Sequence, residues 1–417
     1  MSAPAPTDPA LATPVRHVAV LGRGLAGWGG GVDLLRLFLN GLCAVPESGQ
    51  RLTLLLPGES WSRRARRTVR QALGALRGRP SPPRPLSAPA LREAFAGYEG
   101  QVTIRFYTGG SRGLRRTLRE LRAEVVLPCM DVPGPDFPVP WIGYLYDFQH
   151  RHLPELFTAH ERARRDAAFE AMLAQAHSIV VTSRAVADDA TRFYPASRAR
   201  LIPLPFSAAL QAQLLRRDPV QVRAQFGVPQ RYFILCNQFW VHKDHRTAFR
   251  AFAQLLKERS EVELTLVCTG SLEDHRAPGH AAELRALLAT LGIADRVLLL
   301  GYLSKPDQIA LMRGAIALLQ PTLFEGGPGG GSTYDAVALG VPAILSDIPV
   351  NREVEGRSIS YFPPGDAPAL AARMAQALDA GLPAPDPAEL ARESAWRLAR
   401  LGRTLQQAIS EAVLNYR

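Results

Sequence analysis

Short apolar runs alternate with stretches of helical periodicity from one end of the chain to the other, which restricts the fold to the α/β class, with parallel sheets built from βα units. In the first half the strand candidates are HVAVLG (17–22), RLTLLLP (51–57), QVTIRFY (101–107), EVVLP (124–128), WIGYL (141–145) and SIVVTS (178–183). A second series runs through YFILCN (232–237), ELTLVCTG (263–270), RVLLLGY (296–302), AIALLQP (315–321), PAILSD (342–347) and SISYF (358–362). Prolines and a change of rhythm between the two, at 203–230, mark a linker. The Pro/Arg-rich stretch 78–90 reads as a loop within the first half. A chain of 417 residues exceeds one ordinary core. Two Rossmann-like, doubly wound domains facing a cleft are therefore expected, over 16–215 and 216–395. Residues 1–15 would form a disordered lead and 396–417 a single closing helix.

Composition narrows the function. No apolar run approaches the ~20 residues of a membrane span, and the N-terminal MSAPAPTDPALATP lacks the basic start and apolar stretch of a signal peptide. A cytoplasmic protein is expected. The four cysteines stand apart in or beside apolar runs, as buried thiols would, with no disulfide or zinc spacing. Of 49 basic residues only Lys243, Lys257 and Lys305 are lysines, and the net charge is +11. Such an arginine bias reflects overall composition more than partners. Arginine is concentrated at 61–79 and 111–122, which read as helices with solvated faces or as peripheral contacts with anionic lipid at the inner membrane face. Nucleic acid is not expected as a partner.

Two glycine-rich loops stand where ligands gather in open α/β sheets, beyond the carboxyl ends of strands. The first, GRGLAGWGGGVDLL (22–35), holds a loose glycine fingerprint, but the second strand ends without the acidic residue a dinucleotide's ribose needs. A space for an anionic or hydroxylated substrate beside Gly27, Gly29, Gly30 and Gly31 fits better than NAD. The second is LFEGGPGGGSTYDAVALG (323–340), in which Gly329, Gly330 and Gly331 leave no side chain between backbone and ligand. Ser332 or Thr333 would cap the helix that follows, pointing free amides at an anion. Glu325 would repel phosphate and so suits sugar hydroxyls. Asp335, placed in the first helical turn, suits a ribose. A phosphate flanked by two polyols describes a sugar nucleotide.

The stretch resembles the signature of the family 4, group 1 glycosyltransferases of the GT-B fold, normally two Glu with seven residues between them. Here nine residues separate Glu325 from Asp335, while FEG, AVALGVPAILSDIP and REV are kept. NQFWVHKDH (237–245) resembles the loop in which the family commonly carries an Arg and a Lys five residues apart on the donor diphosphate. Lys243 matches the Lys, and Gln238 stands where the Arg would be. A neutral amide cannot neutralise a diphosphate, so either Lys243, the helix and the glycine loop suffice, or an arginine arrives from elsewhere. His242 and His245 read as capping and packing residues. WIGYLYDFQHRHLPELF (141–157) resembles the family's cleft-facing segment, with Tyr146 at the usual His position. Asp147 and His150 become candidates for positioning sugar or acceptor, a capped turn being the other reading. VVTSRAVADDATRFY (180–194) resembles the element that ends the first sheet, with Ser183 as helix cap.

The resemblance implies retaining transfer of a hexose from a nucleotide-sugar, with no metal and no cofactor. The acceptor, a glycan or lipid-linked sugar in polysaccharide biosynthesis, would lie on the first domain. Donor contacts would come from Asn237, Gln238, Lys243 and Gly270 together with the second glycine loop. GDP-mannose is the leading donor and a UDP-sugar the alternative, and the closing helix with Trp396 would cross back to the first domain. The rival readings are a sugar-nucleotide epimerase on the same fold and an arginine-rich polyanion-binding protein.

Overall fold

The computed structural model describes residues 15–27, 29–47, 49–58, 87–209, 212–274, 276–381 and 385–416. The strands of the first series are β1 (His17–Leu21), β2 (Arg51–Pro57), β3 (Val102–Tyr107), β4 (Val125–Cys129), β5 (Trp141–Leu145), β6 (Ser178–Val181) and β7 (Arg200–Pro203). They form one sheet in the order β3-β2-β1-β4-β5-β6-β7. The second series is β8 (Tyr232–Cys236), β9 (Thr265–Thr269), β10 (Val297–Gly301), β11 (Leu318–Gln320), β12 (Ala343–Ser346) and β13 (Ile359–Phe362). Its order is β10-β9-β8-β11-β12-β13. Every paired strand runs parallel. The near-continuous apolar character of β1, β8 and β9 follows, because both faces of each are covered and all their residues are buried.

In both sheets the strand order reverses at the corresponding place, between β1 and β4 in the first and between β8 and β11 in the second. In an open α/β sheet this reversal leaves a crevice beyond the carboxyl ends of the strands. Both glycine loops leave from these strands, one after β1 and one after β11. All twelve expected strands are present. β7 was not expected, because its four residues RLIP run into the proline-rich segment read as linker.

The last helix, Pro387–Leu414, starts nine residues before the expected 396, where Asp386 caps it through the Ala388 N–H and Pro387 opens its first turn. It returns to the first domain, where Leu401, Leu405 and Ile409 join the core around β1 and helix Gly29–Ala44. The two helices cross through Gly41 and Gly402, and a Cβ on Gly402 would stand 2.2 Å from the Gly41 carbonyl oxygen. No larger residue fits that crossing. Among the described residues no helix is long and apolar enough to span a membrane. The arginine stretch 111–122 forms helix Gly110–Leu121, which buries Leu114 and Leu118 and exposes Arg112, Arg116 and Arg119. The stretch 61–79 lies outside the described residues. All four cysteines are free thiols; Cys129, Cys236 and Cys268 are buried and Cys43 half-buried.

Candidate active site

Between the two sheets lies a cleft of about 730 Å³, walled by Gly30, Asp33 and Asp147 on one side and by Lys243, Lys305, Glu325, Gly330, Gly331 and Asp335 on the other. The second glycine loop is built around Gln320, the last residue of β11. Its amide takes a 2.5 Å bond from Asn237 and donates to the Gly329 carbonyl at 2.7 Å and to Glu325 Oε1 at 3.1 Å. Asn351 holds the other side, accepting the Gly329 N–H at 3.0 Å. Gly329 and Gly330 both adopt left-handed backbone, with φ of 67° and 68°. A Cβ on Gly330 would stand 2.9 Å from Gln320 Nε2 and 3.1 Å from Glu325 Oε1, whereas one on Gly331 would meet nothing within 4 Å. Gly331 therefore leaves its free space to the cleft.

The helix begins at Gly330, and this corrects two expectations. Gly329 occupies the cap, while Ser332 and Thr333 lie inside the first turn. Thr333 Oγ1 donates back to the Gly329 carbonyl at 2.6 Å, and Ser332 Oγ is buried with no partner. Asp335 accordingly falls in the second turn, not the first. The Gly330 N–H closes the loop onto the Gly327 carbonyl at 3.2 Å, and the first-turn amides of Gly331 and Ser332 carry the helix's partial positive charge.

Lys243 lies in the short turn Val241–Lys243 after β8, next to the Asp244 cap of helix His245–Glu258. Its ammonium pairs with Glu325 Oε1, the two side chains being 12% and 10% exposed. The turn and the glycine loop are tied together, since the His242 carbonyl accepts from Leu323 N–H at 2.8 Å and from Thr322 Oγ1 at 3.2 Å. Lys305 pairs in the same way with Asp335. Burial pushes the Asp335 carboxyl up against the opposing pull of Lys305; for Lys305 burial works to lower its pKa, but Asp335 outweighs it and the pKa is raised.

On the first domain, Asp147 follows β5, accepts the Gln149 N–H at 2.9 Å and stands 3.9 Å from Arg165. Burial raises its pKa, with the Gln149 N–H and Arg165 working against that. His150 does not reach the cleft. It is completely buried, bonded to Asp166 at 2.9 Å and packed against Phe169, and burial lowers its pKa. The sequence pattern places it beside Asp147, but the short helix Gln149–His152 turns it into the core.

The remaining expected residues divide. Gln238 does not present its amide to the cleft, because Oε1 accepts the Ser271 N–H at 2.8 Å. Gly270 is required by the protein itself, since a Cβ there would lie 2.1 Å from the Asn237 carbonyl oxygen. Gly30 lines the cleft, Gly27 is exposed in the loop and Gly29 at the start of the helix, and Gly31 is buried in the helix. His242 and His245 are buried, with pKa values lowered to about 2 and about 3 chiefly by burial, and His245 stacks on Phe239 at 4.0 Å. Packing, as expected, describes them. Among the described residues no group of three His, Cys, Asp or Glu could hold a metal.

The two domains also touch. The Gly326 carbonyl accepts from Thr182 Oγ1 at 2.7 Å and Ser183 Oγ at 2.9 Å, and Ser183 caps its own helix through the Val186 N–H. A Cβ on Gly326 would lie 2.4 Å from the Tyr146 carbonyl oxygen, so glycine there lets one domain's loop meet the other's strand end. Glu353, from the second domain, accepts the Arg184 and Ala185 N–H groups at 2.9 and 2.8 Å, closing over the start of helix Arg184–Phe193. Lys305, Arg165, Gln320 and Glu353 had not been singled out in sequence. Lys305 carried a usable signal, as one of three lysines among 49 basic residues.

Residues 230–380 match the family model described as glycosyl transferases group 1. No curated protein sequence matches significantly. Among solved structures, sucrose-phosphate synthase from Thermosynechococcus elongatus aligns at a TM-score of 0.57 and 17% identity, covering 96% of this chain and 97% of that one. HepE from Anabaena, in complex with UDP and glucose, aligns at 0.60 and 14%, covering 96% and 98%. A UDP-forming α,α-trehalose-phosphate synthase from Burkholderia xenovorans aligns at 0.55 and 15%, again covering 96% and 98%. At these identities the likeness concerns the fold. The second domain thus matches the glycosyl transferases of group 1, and the chain as a whole has the two-domain GT-B architecture.

Proposed function

We propose that the protein transfers a hexosyl group from a nucleoside-diphosphate sugar, bound to the second domain, to a hydroxylated acceptor on the first. The observation that carries this reading is the Lys243–Glu325 pair beside a glycine-started helix in the interdomain cleft. A lysine has three donors, so Lys243 can keep Glu325 while meeting a phosphate oxygen. It then stabilises the charge that grows as the diphosphate leaves, with the first-turn amide at Gly331 and the helix dipole adding to it. Glu325 accepts sugar hydroxyls, and Asp335, balanced by Lys305, accepts from the ribose.

Reaction breaks the bond from the anomeric carbon to the diphosphate oxygen and forms one to the acceptor oxygen. The acceptor's proton passes to the departing phosphate on the same face, which gives retention and requires no separate base. Asp147 positions the acceptor or the transferred sugar, and domain closure brings the two together. The resemblance makes GDP-mannose the leading donor; the neighbours whose names include UDP make UDP-glucose the second to be tried. A glycan or lipid-linked acceptor in polysaccharide biosynthesis belongs to the same proposal, as does a cytoplasmic location with the arginine-rich helix Gly110–Leu121 against an anionic membrane.

The test is release of nucleoside diphosphate from GDP-mannose and UDP-glucose, with and without lipid-linked and oligosaccharide acceptors. Acceptor-dependent release with a new glycosidic product supports transfer. Interconversion of the donor with no acceptor consumed supports the epimerase instead.

A further inference from the structure

The loop after β8 lacks the arginine that the proposed reaction would use beside Lys243, and Gln238 in its place is engaged elsewhere. Its Oε1 accepts the Ser271 N–H at 2.8 Å, and the Phe239 N–H bonds the Ser271 carbonyl at 2.9 Å. These two bonds pin the start of the segment that follows β9 against the Lys243 loop. The segment carries Arg276.

Arg276 is placed as a diphosphate-binding residue would be. Asp274, almost fully buried, joins it to the Lys243 turn. One carboxylate oxygen accepts the Val241 N–H at 3.3 Å, and the other accepts the Arg276 backbone N–H at 3.0 Å and lies 3.4 Å from Nε. The guanidinium lies over Trp240 at 5.1 Å and Phe157 at 5.4 Å, so it is flanked by one ring from each domain. Nη1 donates across the cleft to Gln149 at 3.2 Å. Nη2 is buried with no partner at all, although the side chain lines the cleft and is only 12% exposed. A buried guanidinium donor left unpaired is costly, and a charged acceptor is what relieves it.

The other cations of the cleft are differently placed. Lys305 is paired with Asp335 of the glycine helix, and Arg165 belongs to the first domain beside Asp147. Arg36, also of the first domain, is held by Asp33 and the Ala94 carbonyl, so of these four cleft cations only Arg276 shares its anchoring with the turn that carries Lys243. We propose that Arg276 is the second cation on the donor diphosphate, supplied from the loop after β9 in place of an arginine at 238. This rests on the donor reading above. Because Nη1 bonds Gln149, the same guanidinium also couples diphosphate binding to closure of the first domain onto the second.

The experiment is calorimetric titration of the full chain with UDP, UMP, GDP and GMP, for the wild type, Arg276→Gln, Arg276→Lys and Lys257→Ala. The readout is the affinity gained by the second phosphate, the ratio of monophosphate to diphosphate Kd for the preferred base. Arg276→Gln is expected to lower that ratio about ten-fold, the equivalent of one charge-assisted hydrogen bond. Arg276→Lys should restore part of it, and Lys257→Ala should leave it unchanged. If Arg276→Gln does not fold, Arg276→Lys is read alone, and a ratio equal to the wild type overturns the proposal. An unchanged ratio in Arg276→Gln, or equal losses for mono- and diphosphate, overturns this proposal while leaving the donor site standing. Failure of the wild type to bind either diphosphate overturns the donor reading and this proposal with it.

Discussion

Removing the Glu353 carboxylate should loosen the two domains from each other. Its two oxygens accept the Arg184 and Ala185 N–H groups at 2.9 and 2.8 Å, and the side chain is only 11% exposed. Hydrogen bonds to a charged acceptor contribute about 1.5–3 kcal/mol each when buried, and a carboxylate at a helix N-terminus adds about 0.3–1 kcal/mol. On opening, however, both amides and the carboxylate regain water, and Arg184 is already exposed in the closed form. A net effect of about 2 kcal/mol remains for Glu353→Ala, and since 1.4 kcal/mol is tenfold, the ratio of open to closed molecules should rise about 30-fold. Hydrogen exchange in the Gly326–Gly331 loop is the assay, because those residues lie remote in sequence from 353 and report on contact with Thr182 and Ser183. Faster exchange there, with a larger radius of gyration by small-angle scattering, is expected. Glu353→Gln, which keeps an acceptor and loses the charge, should fall between. Wild-type exchange in that loop in Glu353→Ala would refute the idea that this carboxylate holds the domains together.

Other consequences follow from the same contacts. Gly326→Ala places a methyl group 2.4 Å from the Tyr146 carbonyl; the retreat that this forces strains the Thr182 and Ser183 bonds and should cost closure about 1–3 kcal/mol, seen as a loss of kcat/KM with native urea stability. Lys305→Met leaves Asp335 buried without its cation and should cost the second domain about 3 kcal/mol by urea unfolding, largely recovered in Lys305→Met/Asp335→Asn; no loss in the single variant would contradict the pairing. For Asp147 the sign runs with burial. A carboxyl whose pKa is higher folded than unfolded binds its proton more tightly when folded, so its contribution is full below the ordinary carboxylate range and is lost as pH rises through the raised value. Asp147→Asn, which can still accept the Gln149 N–H, should therefore gain in Tm over the wild type as pH goes from 4 to 7 while transfer activity falls; a gap that shrinks over that range would contradict it.

The strand series was legible because parallel strands covered on both faces must be apolar along their whole length, as in YFILC and TLVCT. β7 was not, since RLIP is too short to stand out beside prolines. The glycine loop was legible as a place of close approach, but the sequence could not say to what. Gly326 meets the other domain's backbone, Gly330 meets Gln320 and Glu325, and Gly331 alone opens into free space. Helix start and residue phase were misjudged by one turn because two successive left-handed glycines shift the cap from Ser332 or Thr333 to Gly329. His150 shows a further limit, since a motif fixes order along the chain and not which neighbour enters the core. Arg276 was hidden for a compositional reason. One arginine among 46 draws no attention, whereas two of the three lysines, Lys243 and Lys305, line the cleft.

The proposed donor site is tested most directly by titrating the protein with UDP, GDP and ADP, for the wild type, Lys243→Ala and Lys257→Ala, the last being the exposed lysine away from the cleft. One nucleoside diphosphate should bind with 1:1 stoichiometry, Lys243→Ala should weaken it at least about ten-fold, and Lys257→Ala should match the wild type. Absence of binding, or equal loss in both variants, would contradict a nucleotide-sugar site between the two domains.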